Sequence, residues 1–314
     1  MVLDLANRGW LVPALFVALR RAGRLDEVPP PVRDYLDLLH DRNRERNRRL
    51  RAQLIEATGA LNAAGIEPIL LKGAIHLFTA DEEELGSRMM SDLDLDVAPG
   101  EVARAMAALG TRGYTSSVER EMERPNDVGV IELHDGPGER SALYLSGDLG
   151  AVSRRSERDG VVALIPSATA RALHFIVHDM IKEGDYWSLR IDLRHLHDLA
   201  ALAGAQGGGE WQQLRASLPA GPGRAALIAQ ARALEDLFGV EIPADLRGGR
   251  RAELRHVARL LGSGRGRSAA VVRLIGNVSL GVHRFSTGSK WPGSRRFSQQ
   301  VVARLSGHGG RPRI

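Results

Sequence analysis

The sequence contains no cysteine, and only three of its 43 basic residues are lysine. The lack of cysteine excludes disulfide bonds, cysteine-based zinc sites, iron–sulfur clusters and catalytic thiols. The other 40 basic residues are arginine, and this bias, like the abundance of alanine and glycine, needs no explanation beyond a G+C-rich coding sequence. A lysine kept against such a bias is of greater interest, and Lys72 is the one that adjoins a candidate site.

Long hydrophobic segments are also absent. The longest apolar run, Trp10 to Leu19, is too short to cross a bilayer and contains Pro13. The N-terminus has no basic region followed by a small-residue cleavage site, so we expect no signal peptide and, by default, a cytoplasmic location. No Walker A loop and no Ser/His/Asp triad is visible. With 314 residues, 43% of them hydrophobic, the chain can form one or two folded domains.

Acidic residues are almost missing from the last 68 residues. Residues 247–314 carry 15 basic residues and one acidic residue, Glu253, whereas residues 1–246 carry 28 basic and 37 acidic residues. The overall charge of +5 therefore joins an acidic body of −9 to a basic segment of +14. Such a segment is typical of contacts with RNA, another polyanion or an anionic membrane surface, but a solvated arginine-rich tail is an equally good interpretation.

The spacing of apolar residues divides the chain into regions. A helical stripe that includes Leu50, Leu54 and Leu61 precedes Gly65, a residue type that commonly ends helices. Short runs with the period of strands follow, and the helical period returns from Ser167. We predict an N-terminal helical region over 1–64, a strand-containing core over 65–160, a helical domain over 161–246 and a partly flexible basic segment over 247–314.

The core region contains an unusual alternation of aspartate and apolar residues. Asp92, Asp94 and Asp96 fall on one face of a predicted strand, roughly 6–7 Å apart in succession. Like charges so placed repel one another, and a divalent cation such as Mg²⁺, which prefers carboxylate oxygens, would relieve the repulsion. An edge strand with a solvated face is the alternative, because this pattern also occurs by chance.

The surroundings of this strand favour a phosphate and metal site. Upstream, a predicted strand at 66–71 leads through Lys72-Gly73 into a short helix, and such a glycine turn lets backbone N–H groups approach a phosphate. Downstream, a helix near 102–109 precedes a strand at 128–134 that carries Glu132.

The sequence resembles an uncharacterised bacterial nucleotidyltransferase family of the polymerase-beta-like superfamily. The resemblance rests on LNAAGIEPILLKGAIHL, RMMSDLDLDV and IELH, and it continues through LHFIVHDM, YWSLRIDLRHLHDLAAL and ARALEDLFGVEIP, over residues 1–245. It implies an α+β fold: a polymerase-beta-like mixed sheet core, flanked by N-terminal helices and a C-terminal helical domain.

The resemblance also implies an enzyme and its cofactor. Such an enzyme moves a nucleoside monophosphate from an NTP, such as ATP, to an acceptor hydroxyl or phosphate with Mg²⁺ or Mn²⁺. By the family motif, Asp92 and Asp94 hold two metal ions, and Glu132 completes the metal site and assists deprotonation of the acceptor. The acceptor, whether a small molecule, a peptide or protein, or tRNA, is not specified.

Five residues are predicted on the phosphate side of the site. The wider superfamily has Gly-Ser at the phosphate turn, whereas Gly73-Ala74 offers only backbone donors, and the literal Gly86-Ser87 lies too close to Asp92 for the intervening helix. For the two cations the alternatives are an ion pair at a strand end for Lys72 and an ion pair with the acidic loop 81–87 for Arg88. The predicted nucleotide-binding residues are Lys72, Gly73, Ala74, Arg88 and Ser91.

Other polar residues are weaker candidates for acceptor binding or for supporting the metal ligands. His134 shares the strand face of Glu132, although a structural histidine is an equally good interpretation. In the segment RIDLRHLHDL, Asp192 and Asp198 are expected to cap a helix or to pair with Arg190 and Arg194. The candidates are His134, Asp96, Arg190 and Asp198. His174 and His178 have a spacing that zinc can use, but no third ligand is evident and helix packing is favoured.

A different class of function is also compatible with the sequence. The fold could serve as a catalytically weak or inactive module that binds nucleic acid or an anionic surface through its basic tail. The presence of Asp92, Asp94 and Glu132 together favours the enzyme.

Overall fold

The chain is described by a computed structural model over residues 2–136, 148–204, 209–218 and 220–287. Within these ranges, no helix combines the length and apolar character that a membrane crossing requires. The helices are α1 (Val2–Arg8), α2 (Val12–Arg21), α3 (Pro30–Ala63), α4 (Lys72–Thr79), α5 (Val102–Gly110), α6 (Ala168–Ile176), α7 (Asp185–Ser188), α8 (Leu193–Gly204), α9 (Gly209–Ser217), α10 (Pro222–Phe238), α11 (Arg250–Ser263) and α12 (Arg267–Ser286).

Seven strands form one mixed sheet in the order β3-β4-β5-β2-β1-β7-β6. The pairs β2–β5 and β1–β7 are parallel and the other neighbours are antiparallel. This confirms the predicted α+β class with a mixed sheet and flanking helices. The strands are β1 (Ile69–Leu70), β2 (Asp92–Asp96), β3 (Thr115–Val118), β4 (Glu121–Glu123), β5 (Val130–His134), β6 (Ser153–Arg158) and β7 (Val161–Pro166).

The elements around the aspartate motif match the sequence prediction closely, and those at the two ends of the sheet do not. The strand expected at 66–71 is shorter, because Leu71 already precedes the first turn of α4. Strands β3, β4, β6 and β7 are additional, and β7 lies beyond the predicted core limit at residue 160 while pairing with β1 in that core. Helices α11 and α12 lie in the segment 247–314 that was expected to be partly flexible, and residues 288–314 lie outside the described ranges.

The main apolar core packs the sheet against α3, α4 and α5. Leu93 and Leu95 alternate with the aspartates of β2 and are fully buried, as are Ile131 and Leu133 of β5. The alternation therefore directs the apolar side chains into the core and leaves the aspartates together on the opposite face. Further apolar clusters join α6, α8 and α10 in the helical part and α1, α2 and α3 at the N-terminus.

Buried amide side chains of α3 fix the loop that leads into β2. Asn43 and Asn47 both donate to the carbonyl of Arg88, at 3.1 and 2.8 Å, and they also bond Gly86 and Leu85. Buried loop carbonyls need such partners, because an unpaired one is costly. The long helix thus sets the position of Arg88 as well as supplying apolar packing.

Candidate active site

The candidate site forms where β2 and β5 run side by side. Their parallel register places Asp94 beside Glu132, with Asp92 beside Val130 and Asp96 beside His134. Asp94 is almost completely buried, at 1% exposure, whereas the side chain of Glu132 is 39% exposed. One carboxylate is therefore held inside the protein while its neighbour reaches solvent.

Lys72 closes one side of this site. Its Nζ donates to Asp94 Oδ1 at 2.8 Å, and its side chain is only 15% exposed. The backbone of Lys72 has φ of 44°, in the left-handed region that non-glycine residues seldom adopt. Such conformations cost free energy and are found where the surrounding structure requires them. Here the first residue of α4 is held so that its ammonium reaches the buried aspartate.

His134 approaches the same carboxylate from β5. Its Nε2 lies 3.1 Å from Asp94 Oδ1 and 4.0 Å from Glu132 Oε1. Ligand atoms of Asp94, Glu132 and His134 all lie within 4.8 Å of one another. The cluster brings together three residues named from the sequence.

The charges around Asp94 keep it ionised. Burial alone would raise the pKa of Asp94, but the hydrogen bond from His134 and the charge and hydrogen bond of Lys72 outweigh burial and hold that pKa well below its usual range. Burial likewise lowers the pKa of Lys72, but the adjacent Asp94 more than compensates, so this pKa is raised. The pair is therefore a carboxylate and an ammonium at neutral pH.

The donor set fits the metal ion that the family resemblance implies. Asp94 and Glu132 present carboxylate oxygens, which Mg²⁺ and Mn²⁺ prefer, and the imidazole of His134 adds a donor that Mn²⁺ accepts. The ammonium of Lys72 and the imidazole of His134 both contact Asp94 Oδ1, so Lys72 balances the negative charge of the Asp94 carboxylate.

Asp92 lies on the same strand face as Asp94, beside Val130, and is outside the metal-capable cluster of the described residues. Its side chain is partly buried, and Ser91 Oγ is 3.5 Å from Asp92 Oδ1. Arg46 of α3 donates to the Met90 carbonyl. Burial lowers the pKa of Arg46, and the negative charge of Asp92 nearby offsets part of this lowering. The sequence analysis did not name Arg46, because its position in an arginine-rich helix gives no distinguishing signal.

Arg88 pairs with a residue far away in the sequence. Its guanidinium makes a two-pronged contact with the Asp198 carboxylate at 2.8–3.1 Å, and the two side chains are 9% and 16% exposed. This joins the loop before β2 to α8. The sequence suggested either phosphate contact or an ion pair with the acidic loop 81–87 for Arg88, and neither interpretation included Asp198. Phosphate binding by Arg88 stays a prediction.

The turn at Lys72-Gly73 is tightly enclosed by the same arginine. A Cβ added to Gly73 would lie 2.5 Å from Arg88 Nη1 and 2.9 Å from Met90 Sδ. Gly73 is therefore needed for close packing between the start of α4 and the loop 86–91. Ala74 is fully buried, so its own side chain faces the protein.

Two other candidates have partners of their own. Asp96 accepts a hydrogen bond of 2.7 Å from the Gly136 backbone N–H, and it is outside the metal-capable cluster of the described residues. Arg190 donates to the buried Asp185 at 2.7 Å. Asp192 caps α8, as one of the two expectations had it, by accepting from the His195 backbone N–H at 3.1 Å. Asp198 pairs with Arg88 instead of Arg190 or Arg194, a partner that only the packing of α8 against the loop before β2 brings near.

A cavity of about 710 Å³ opens next to Ser91. It lies between α1, the loop 188–194 and the two last helices, and four arginines and three acidic residues line it. The charged lining residues are Arg8, Arg190, Arg194, Arg273, Glu183, Asp185 and Asp192. The cavity reaches the residue before Asp92, so a molecule bound there would lie near the candidate site.

A second histidine cluster was missed by the sequence analysis. His178 Nδ1 and His195 Nδ1 each lie 2.9 Å from Asp179 Oδ1, and their ligand atoms could also hold a metal ion. The sequence offered Asp179 directly beside His178, but His195 comes from another helix. Within the cluster, the contacts with Asp179 Oδ1 already occupy the Nδ1 atoms of both histidines. His174 stacks beside His178 and stays neutral, because burial lowers its pKa to about 3.

A mixed sheet with neighbouring acidic strands beside a strand–glycine–helix turn is the arrangement of a nucleotidyltransferase-type protein. The chain belongs to the uncharacterised nucleotidyltransferase family, whose model matches residues 1–239. No curated protein and no solved structure matches it. The family supports nucleotidyl transfer as the general activity, and α11 and α12 lie beyond the matched residues.

Proposed function

We propose that this protein is a Mg²⁺- or Mn²⁺-dependent nucleotidyltransferase that moves a nucleoside monophosphate from an NTP to an acceptor hydroxyl or phosphate. The observation that carries the proposal is the cluster of Asp94, Glu132 and His134, with Lys72 on Asp94 at the start of the phosphate-turn helix. Strained backbone conformations and charged groups with shifted pKa values both cluster at functional sites, and Lys72 and Asp94 combine them here.

Asp92, Asp94 and Glu132 are the proposed metal ligands. The bound metal would neutralise charge on the transferring phosphoryl group and on the leaving pyrophosphate. The burial of Asp94 fixes its carboxylate before substrate arrives, and the exposure of Glu132 lets this residue accept the acceptor proton.

The cations at the site are proposed to bind the triphosphate. Lys72 is within reach of a phosphate at the start of α4 once its ammonium leaves Asp94, and Gly73 contributes its backbone N–H to the same turn. The Ala74 N–H donates to the Leu71 carbonyl at 3.0 Å, so Ala74, named from the sequence for its backbone donor, has none to offer there. Arg88 lies against the turn at Gly73, and Ser91 lies beside Asp92 in the loop before β2. The cavity beside Ser91 offers room for the acceptor.

The proposal is tested with NTPs labelled at either the α- or the γ-phosphorus, supplied with Mg²⁺ or Mn²⁺ and cell extract. We expect label from the α-phosphorus to appear on an acceptor, and label from the γ-phosphorus to appear only in pyrophosphate. Asp94→Asn is expected to lower transfer by at least about 100-fold, by analogy with the loss of other preorganised charged groups.

Asp96→Asn is the matched control. It changes the same residue type on the same strand, but its partner is the Gly136 backbone N–H, to which an asparagine oxygen can still bond. We expect this variant to keep transfer within a few-fold of wild type. Transfer of the γ-label to an acceptor, or full α-transfer by Asp94→Asn, would contradict the proposal.

A further inference from the structure

The last two helices carry apolar faces that no described residue covers. In α12 the exposed apolar residues recur at every third or fourth position, which places them along one side of the helix. Phe285 is 91% exposed and Leu274 is 64% exposed. The exposed apolar residues of α12 are Val271, Leu274, Ile275, Val278, Val282 and Phe285.

The opposite side of α12 is firmly packed. Ala269 and Gly276 are buried, and Gly276 lies directly against the backbone of Ser188. The rings of Trp187 and His283 stack with centroids 3.5 Å apart. The helix is therefore held to the protein by one side, and its apolar face is presented outward.

Helix α11 adds a second exposed row. Leu254, Val257 and Leu261 are 70%, 47% and 49% exposed and follow the same helical spacing. The two helices pack on each other near Gly262, where a Cβ would contact Val272 at 3.2 Å. Apolar rows on adjacent helices exceed the scattered exposed residues that any protein surface shows.

Positive charge predominates on these two helices, whose one acidic residue is the exposed Glu253 of α11. From Leu254 to Ile314 the sequence contains 12 basic residues and no acidic residue. On the described helices, Arg267 and Arg273 are exposed along α12, and Arg250 and Arg251 are exposed at the start of α11. A partner of this surface must therefore combine an apolar layer with negative charge.

We propose that α11 and α12 form a docking surface for an anionic lipid bilayer, with the apolar rows entering the headgroup region and the arginines contacting lipid phosphates. An anionic membrane surface offers both, because its charged headgroups lie directly above an apolar acyl-chain layer. A second copy of the chain would bring two surfaces of like charge together, which is unfavourable. RNA would match the charge but would leave the apolar rows unused.

This proposal does not depend on the transferase activity. Both helices lie outside the family match at residues 1–239 and contain none of the proposed metal- or nucleotide-binding residues, although their packed side, with Arg273, lines the cavity beside Ser91. The full chain carrying Asp94→Asn is accordingly expected to bind membranes as well as wild type does.

The test is co-sedimentation of the full-length protein with vesicles of phosphatidylcholine alone or with about a third phosphatidylserine. We expect binding to the anionic vesicles that weakens with salt. Leu274→Ser with Val278→Ser keeps every charge and should lower partitioning at least about tenfold, because two apolar side chains no longer enter the interface. Leu38→Ser, at a 49% exposed position of α3, is the matched control and should bind as wild type does.

A second variant tests the charges. Arg251→Gln with Arg267→Gln should weaken partitioning about fivefold per arginine at low salt. Melting curves like that of wild type confirm folding, since all four altered positions on the two helices are exposed. Undiminished binding by the Leu274/Val278 variant would overturn the proposal, because charge alone would then drive attachment. Binding to RNA but not vesicles, or a dimer that this variant dissociates, would overturn it as well.

Discussion

The contact between Lys72 and Asp94 can be measured by a double-mutant cycle. The Nζ–Oδ1 distance is 2.8 Å and the side chains are 15% and 2% exposed. At an effective dielectric constant near 20, opposite charges this close attract by about 6 kcal/mol, and desolvation offsets much of this. Removing one partner of a buried pair costs about 3–5 kcal/mol, because the other charge is left without compensation.

The two single variants are expected to differ. Asp94→Asn leaves the buried ammonium of Lys72 without its contacting carboxylate and should lower the free energy of unfolding by about 4 kcal/mol. Lys72→Met should cost less, about 2–3 kcal/mol, because His134 still contacts the carboxylate. In the double variant neither charge is stranded, so the combined loss should fall short of the sum by about 2 kcal/mol or more.

Urea unfolding at pH 7, followed by circular dichroism, measures all four proteins under identical conditions. Neutral pH is required because the depressed pKa of Asp94 makes its contribution fully present above the unfolded-state pKa and lost only as the pH falls through the folded-state pKa. Equal m-values would show that the comparison is valid. Losses that simply add would refute the view that Lys72 and Asp94 form one energetic unit.

Three further predictions concern the surroundings of the site. Arg88→Met and Asp198→Asn should each lower the free energy of unfolding by about 3–5 kcal/mol and the double variant by clearly less than their sum, as urea unfolding would show; additivity would contradict the ion pair. Burial raises the pKa of Asp185 to about 6, so the folded state still binds a proton at pH values where the unfolded chain has released it, and the free energy of unfolding falls as the pH rises from about 4 to 7. Across that window the free energy of unfolding of Asp185→Asn should rise relative to that of wild type by up to roughly 3 kcal/mol. A constant difference between the two proteins would contradict this. Gly73→Ala should lower the free energy of unfolding by about 1–3 kcal/mol and displace Arg88. Gly59→Ala, whose Cβ would meet its nearest neighbour at 3.4 Å, is the control and should not destabilise the fold. Equal stabilities of the two variants would contradict the close packing around Gly73.

The centre of the fold was predictable because its signals are local. Strict alternation gave β2 its length and its two faces, and a glycine after an apolar run located the turn before α4. Asp159-Gly160 is also a strong hairpin signal, and both residues have positive φ between β6 and β7. This hairpin is therefore predictable from local sequence as well, although it is absent from the elements predicted above.

The contacts that complete the site could not be predicted, because they join distant segments. Arg88 and Asp198 are 110 residues apart, and only the packing of α8 against the loop before β2 selects this pair from many arginines and aspartates. The same holds for Asn43 and Asn47, whose amides support that loop from α3. For Lys72 the alternative stated from the sequence, an ion pair at a strand end, is present and its partner is Asp94, whereas the left-handed backbone of Lys72 has no signal in the sequence.

The proposed metal binding by the carboxylates of β2 and β5 can be measured directly by titrating the protein with Mn²⁺ and recording the electron paramagnetic resonance signal of free Mn²⁺. We expect wild type and Asp96→Asn to bind with similar affinity. Asp94→Asn should weaken binding by about 10–100-fold or more, since loss of even a residue that only supports a metal ligand has an effect of that size. Unchanged Mn²⁺ affinity in Asp94→Asn, or its loss in Asp96→Asn alone, would contradict a metal centre formed by Asp92, Asp94 and Glu132.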